Sequence, residues 1–235
     1  MKFRVIVADP PWSFSDQLKM SDVKRGSQAN YDVMTNSDIR ELPMEQFISP
    51  TGSLIALWVP GSLLQDGMDT MKAWGFEQKQ TYVWVKNKKL PVSTILPSLV
   101  ENIEGAIKSI GYVKKNWKEH FSYCLRDFSL GSMLAFGMGR HFRQTHEICL
   151  IGTSDNQIYQ HLKNKSQRSV CLAPNLGHSS KPEALQDSLE LMFPRGKKLE
   201  LFARRHRPGW VCLGNETCHG EDIRVSLTKL NARQP

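Results

Sequence analysis

Short, nearly unbroken apolar runs recur along the chain. "FRVIVA" at 3–8, "SLIALWV" at 53–59, "TYVWVK" at 81–86 and "EICLIGT" at 147–153 have the length of buried strands. Between them the rhythm changes to helical spacing. "GSLLQDGMDTMKAWG" (61–75) predicts a helix that stops at Gly75. "KPEALQDSLELMF" (181–193) predicts another, with Pro182 in the first turn, where a missing N–H costs nothing. "KLELFA" (198–203) and "WVCLGN" (210–215) read as late strands, and Thr35 and Asp38 stand at capping-box spacing. Strands separated by helix-length segments predict an α/β fold, a mostly parallel central sheet with helices on both faces.

Two stretches break this rhythm. Residues 16–30 are polar and aperiodic and read as a loop; residues 87–145 are too long for a crossover. The expected organisation is therefore one domain over 1–235 with an insertion at 87–145. No 18-residue apolar run appears, so membrane association is not expected. The basic start is followed by too short an apolar run for a signal peptide, and five scattered cysteines suit reduced thiols, so the expected location is the cytoplasm, or the nucleoid in a bacterial source. The net charge of +8 is concentrated. Lys86 to Arg143 carries ten Lys/Arg and four Asp/Glu, and Pro194 to Arg207 carries six against one, which leaves the rest of the chain slightly acidic. Two basic segments on an acidic body fit a polyanionic partner; a solubilising surface is the plainer alternative for either alone.

The first strand leaves its apolar run through "ADPPWSF" (8–14). In an open α/β sheet, ligands bind beyond the carboxyl ends of the strands, where Asp9 would stand. Prolines keep a carbonyl but lack an N–H, so Asp9-Pro10-Pro11 offers a stiff set of acceptors with few donors. Trp12 adds a flat surface for stacking. A planar ring bearing an amine would suit such a site. The alternative is a strand-ending turn with Asp9 solvated and Trp12 in the core.

Asp9-Pro10-Pro11-Trp12 after a hydrophobic strand resembles the catalytic signature of the DPPW (MT-A70-like) family of adenine-N6 methyltransferases. "YDVMTNSDIREL" (31–42), "LWVPG" (57–61), "WGFE" with "YVWVK", "HEICLIGT" (146–153), "SSKPEAL" (179–185), "LELFARRHRPGW" (199–210) and "LGNE" (213–216) also resemble family blocks, in family order. The resemblance implies a Rossmann-like class I methyltransferase with permuted (beta-class) motif order and S-adenosylmethionine as cofactor. It gives Asp9 and the Pro10 carbonyl the adenine amine, with Pro11 shaping the turn and Trp12 and Tyr31 flanking the base. Asp9 also borders the cofactor. Lys181 would pair with the cofactor carboxylate, Phe202 would contact its adenine, and Arg204, His206, Asn215 and Glu216 would reach its ribose or polar edge.

This chain has only eight residues before Asp9, so the Asp-Ile-Arg segment that precedes the motif in eukaryotic members has no counterpart there. Asp222-Ile223-Arg224 is expected to take its place, with Asp222 and Ile223 at the cofactor adenine. Glu216 stands where the eukaryotic members carry Gln. "GMGRHF" (137–142) lacks the third glycine of a dinucleotide fingerprint; Arg140, His141 and Arg143 are assigned instead to the substrate, with Lys86 and the lysines that follow it on phosphates. Cys212, Cys218 and His219 are too loosely spaced for zinc, and no metal is expected.

The expected activity is adenine-N6 methylation of nucleic acid. DNA is favoured over RNA because the compact chain resembles bacterial or phage DNA-modifying members. A catalytically silent nucleic-acid-binding homologue is the alternative from another class, and cytosine-N4 methylation a more distant one. Expected partners are nucleic acid and, in one reading, a second copy of the chain.

Overall fold

The computed structural model describes residues 1–14, 34–88, 101, 104–105, 108, 134–135, 137, 139, 141–175, 180–217 and 220–232. Two compact units divide the chain. The first comprises Met1–Trp84, Glu147–Cys171 and Glu183–Pro235, the second Val85–His146 and Leu172–Pro182.

Seven strands are found among the described residues: β1 Val5–Ala8, β2 Leu54–Val59, β3 Glu77–Asn87, β4 His146–Thr153, β5 Val170–Pro174, β6 Lys198–Leu201 and β7 Trp210–Leu213. They form one sheet in the order β5-β3-β4-β2-β1-β6-β7. β1 runs parallel to β2 and to β6, β6 runs parallel to β7, and β2 meets β4 antiparallel. The α/β expectation of a mostly parallel sheet with helices is met. Every residue of β1 and β2 is buried, as expected for central strands covered on both faces.

Four helices are described: α1 Asn36–Arg40, α2 Leu64–Ala73, α3 Ala184–Met192 and α4 Ile223–Ala232. Thr35 and Asp38 close the capping box of α1: the Asp38 N–H donates to Thr35 Oγ1 at 3.0 Å, and the Thr35 N–H donates to Asp38 Oδ2 at 3.3 Å. The helix expected at 61–75 begins with a 3₁₀ turn at Gly61–Leu63 and ends at Gly75, whose φ of 81° is the left-handed form that glycine adopts cheaply.

Residues 220–227, expected as a cofactor segment, lead into and begin α4. Ile223, Leu227 and Leu230 recur at helical spacing and are 3%, 1% and 6% exposed. They join the cluster of Phe3, Ile6, Trp12, Ile39 and Phe47. Arg224 also pairs with Asp38 of α1 at 2.8 Å. Burial of these side chains, at most about 1.5–3 kcal/mol each, favours docking of the helix on this cluster.

Candidate active site

Register places the site. Ala8, the last residue of β1, pairs with Leu57 of β2 and Leu201 of β6, and Leu201 pairs with Leu213, the last residue of β7. Asp9, Phe202 and Gly214 therefore emerge side by side from three adjacent parallel strands. This is the edge of a parallel sheet where ligands bind.

The stretch after β1 is a tight turn. The Trp12 N–H donates to the Pro10 carbonyl at 2.9 Å, and the Met34 N–H donates to the Pro11 carbonyl at 3.2 Å. Neither proline has an N–H, and the Pro10 carbonyl keeps one lone pair. Asp9 and Pro11 are half-buried and Pro10 is buried. Ser13 continues the tie by donating its N–H to Asn36 Oδ1 at 3.3 Å, which links the turn to α1.

Trp12 departs from its expected role. Its side chain belongs to the core at 3% exposure, and its indole N–H donates to the Trp58 carbonyl at 2.9 Å. Burying an aromatic with its one donor satisfied anchors the turn to the end of β2. The ring is thus not an open stacking surface, and the core placement weighed as the alternative is the observed one for this residue.

Two backbone features mark the chain just after β6 and β7. Phe202 has φ 59°, the one non-glycine residue with positive φ among the described residues. Such strain is of order 1–3 kcal/mol and clusters at functional sites. Gly214 faces the backbone of Ala203 so closely that a Cβ there would overlap the Ala203 carbonyl oxygen. Arg204 and Glu216, expected on the cofactor, approach each other at 3.7 Å. Asn215, Glu216 and His206 are exposed, and Arg204 and Phe202 are half-buried.

A polar cluster among the described residues centres on Arg207, to which the sequence reading gave no role. Arg207 donates Nε to Glu190 Oε1 at 2.7 Å, a terminal nitrogen to Glu183 Oε2 at 2.8 Å, and the other to Asp187 Oδ1 at 2.5 Å. Glu183, Asp187 and Glu190 line one face of α3 at i, i+4 and i+7. Trp210 Nε1 donates to the same Glu190 oxygen at 2.7 Å, and the Arg207 N–H donates to Cys212 Sγ at 3.4 Å. Only 13% of the Arg207 side chain is exposed. The hydrogen bond from Arg207 holds the Glu190 carboxyl below the usual carboxylate range, and the carboxylates push the guanidinium up. The loop from Phe202 to Gly209 is thereby clamped to α3. The signal was available as the acidic i, i+4, i+7 stripe of α3 facing the basic loop.

Beneath the strand ends, Glu200 accepts from Gln186 Nε2 at 3.1 Å. Burial pushes its carboxyl up, the Gln186 hydrogen bond opposes this, and the Asp9 charge adds a smaller upward push. Gln186 Oε1 is buried without a partner.

The remaining expected site residues divide between the second unit, the undescribed residues and α4. Lys86, His141 and Arg143 belong to the second unit, as does Lys181, which stands half-buried just ahead of α3. Tyr31 and Arg140 fall outside the described residues, as do Cys218 and His219. Ile223 turns its side chain into the core. Asp222 Oδ1 accepts the Arg224 N–H at 2.8 Å, which caps α4.

The MT-A70 family model matches residues 3–103 and 129–216. Over 219 residues the chain is 26% identical to the "Probable N(6)-adenosine-methyltransferase MT-A70-like" of Oryza sativa subsp. japonica, covering 92% of this chain and 23% of the rice protein. It is 24% identical to the "N(6)-adenosine-methyltransferase catalytic subunit METTL3" of Homo sapiens, covering 92% of this chain and 28% of the human protein. The chain thus spans about a quarter of the length of these relatives. A shorter match, 35% identical over 89 residues, covers 37% of this chain and 11% of the "N6-adenosine-methyltransferase non-catalytic subunit MTB" of Arabidopsis thaliana.

Proposed function

Because the chain belongs to the MT-A70 family, we propose that it is an S-adenosylmethionine-dependent methyltransferase acting on the N6 amine of adenosine in RNA. The observation that carries this reading is the emergence of Asp9, Phe202 and Gly214 side by side from β1, β6 and β7. The choice of RNA follows the rice and human relatives, whose names specify adenosine. The DNA preference expected from the compact chain finds no support among them.

The residues on the β6 and β7 side suit the cofactor. Phe202 offers an apolar ring at a half-buried position, and Asn215 and Glu216 present an amide and a carboxylate that can bind ribose hydroxyls. Arg204 lies 3.7 Å from the Glu216 carboxylate, whose lone pairs can accept from hydroxyl donors. When bound, the cofactor supplies a methyl group on an electrophilic sulfonium.

Asp9 and the Pro10 carbonyl do the rest. They offer acceptors in a stretch where Pro10 and Pro11 contribute no N–H, so an amine is favoured over a carbonyl there. Hydrogen bonds from the target N–H groups to these acceptors draw the nitrogen towards tetrahedral geometry and localise its lone pair for in-line attack. The nitrogen becomes cationic only as the new N–C bond forms, and Asp9 then accepts the released proton. Positioning and electrostatics supply the acceleration, with no strong base required. The intact Asp9 turn favours an active enzyme over a silent homologue.

The test is incubation with methyl-labelled cofactor and matched RNA and DNA, followed by digestion to nucleosides. N6-methyladenosine from RNA is the expected product. Label in deoxyadenosine alone would transfer the reading to DNA, and absence of label from both would overturn it.

A further inference from the structure

Phe142, in the second unit, is 90% exposed, whereas no other large hydrophobic side chain among the described residues exceeds 72%. A single exposed apolar residue is ordinary. This one sits on a constructed turn. A Cβ on Gly139 would overlap the Phe142 carbonyl oxygen, and one on Gly137 would overlap the Gln144 carbonyl oxygen. The two arms close so tightly that glycine is required on one of them. Lys86 ties the base of the turn from each side. Its N–H donates to the Thr145 carbonyl at 2.7 Å, and its carbonyl accepts the Ala135 N–H at 2.7 Å. The Phe142 backbone lies against Gly139 while its side chain stands in solvent, flanked in sequence by exposed His141 and Arg143. The sequence from 128 to 146 contains no Asp or Glu.

An exposed aromatic on a tight turn beside the Arg143 guanidinium matches the chemistry of single-stranded nucleic acid binding. There bases stack on aromatic rings while Arg and Lys follow the phosphates. We propose that Phe142 is a base-stacking contact for an unpaired nucleotide of the substrate strand. The inference rests on the reading of this protein as an RNA-modifying enzyme and adds that the strand is bound unpaired. Stacking is insensitive to salt, whereas the phosphate contacts of the same turn are not.

The experiment measures binding of a fluorescent single-stranded RNA containing adenine, and of its duplex, to wild type, Phe142→Ala, Phe142→Trp and Phe142→Leu at two salt concentrations. Cofactor affinity is measured alongside to confirm the fold. Phe142→Ala is expected to weaken single-strand binding about ten-fold or more, with the salt slope and cofactor affinity unchanged. Phe142→Trp restores binding and Phe142→Leu does not. Unchanged affinity in Phe142→Ala, or full rescue by Phe142→Leu, would overturn the stacking role alone. Failure of the wild type to bind RNA would bring down the proposed function and this inference with it.

Discussion

Replacing Arg207 with alanine removes three charge-assisted hydrogen bonds at 2.7, 2.8 and 2.5 Å. Each would be worth about 1.5–3 kcal/mol if fully shielded. The carboxylates of Glu183, Asp187 and Glu190 are 48%, 60% and 39% exposed, so water recovers much of that on substitution. Allowing about 0.5–1 kcal/mol per bond plus some lost packing of the arginine stem gives roughly 2–3 kcal/mol. For a chain of this length that corresponds to a fall in melting temperature of about 4–12 °C. Arg207→Lys keeps the charge but not the fork, and should recover about half. Because Arg207 holds Glu190 below the usual range, the wild-type advantage is present above the unfolded carboxylate value near ~4.3 and fades as pH falls through the lower folded value. Thermal unfolding of the three proteins at neutral pH and near pH 3 is the assay. The Phe202–Gly209 loop should also lose cofactor affinity several-fold, with RNA affinity retained. An Arg207→Ala protein with wild-type stability and cofactor affinity would refute the clamp.

Three further outcomes follow from particular contacts. Gly214→Ala forces a methyl into the Ala203 carbonyl, so the denaturation midpoint should drop by an amount equivalent to about 1–3 kcal/mol, and an unchanged midpoint would contradict the close approach. Glu200→Gln should be more stable than wild type at neutral pH and equal to it near pH 3: the raised carboxyl of the folded state loses stability as pH rises through the unfolded and then the folded value. The new amide also gives the orphaned Gln186 Oε1 a donor, and denaturant titrations at the two pH values decide the point. Asp222→Ala should lower stability by about 1 kcal/mol through the lost α4 cap and leave cofactor affinity within two-fold; a large loss of affinity measured by calorimetry would restore Asp222 to the cofactor site.

The buried strands at 3–8, 53–59 and 147–153 and the Gly75 stop were legible because strand interiors and a left-handed terminus leave strong local signals. The start of β3 was not, since Glu77 to Gln80 are exposed and polar and carry no apolar pattern. β5 was missed for a similar reason: Val170 and Leu172 are exposed on an edge strand, and Pro174 reads as a break. α4 carries its signal in the helical spacing of Ile223, Leu227 and Leu230. The position of Asp9 at the end of a buried strand was readable from the apolar run before it. The burial of Trp12 was not, because composition cannot tell an aromatic that stacks on a ligand from one that anchors a turn. Arg207 was hidden by distance, since its partners lie 17 to 24 residues away on another element.

Asp9→Ala bears most directly on the central claim. Single-turnover transfer of labelled methyl to RNA should fall about 100-fold or more, on the scale of losing one preorganised electrostatic contact, while the thermal unfolding profile stays that of the wild type. An Asp9→Ala protein that remains folded and transfers methyl at the wild-type rate would contradict the account.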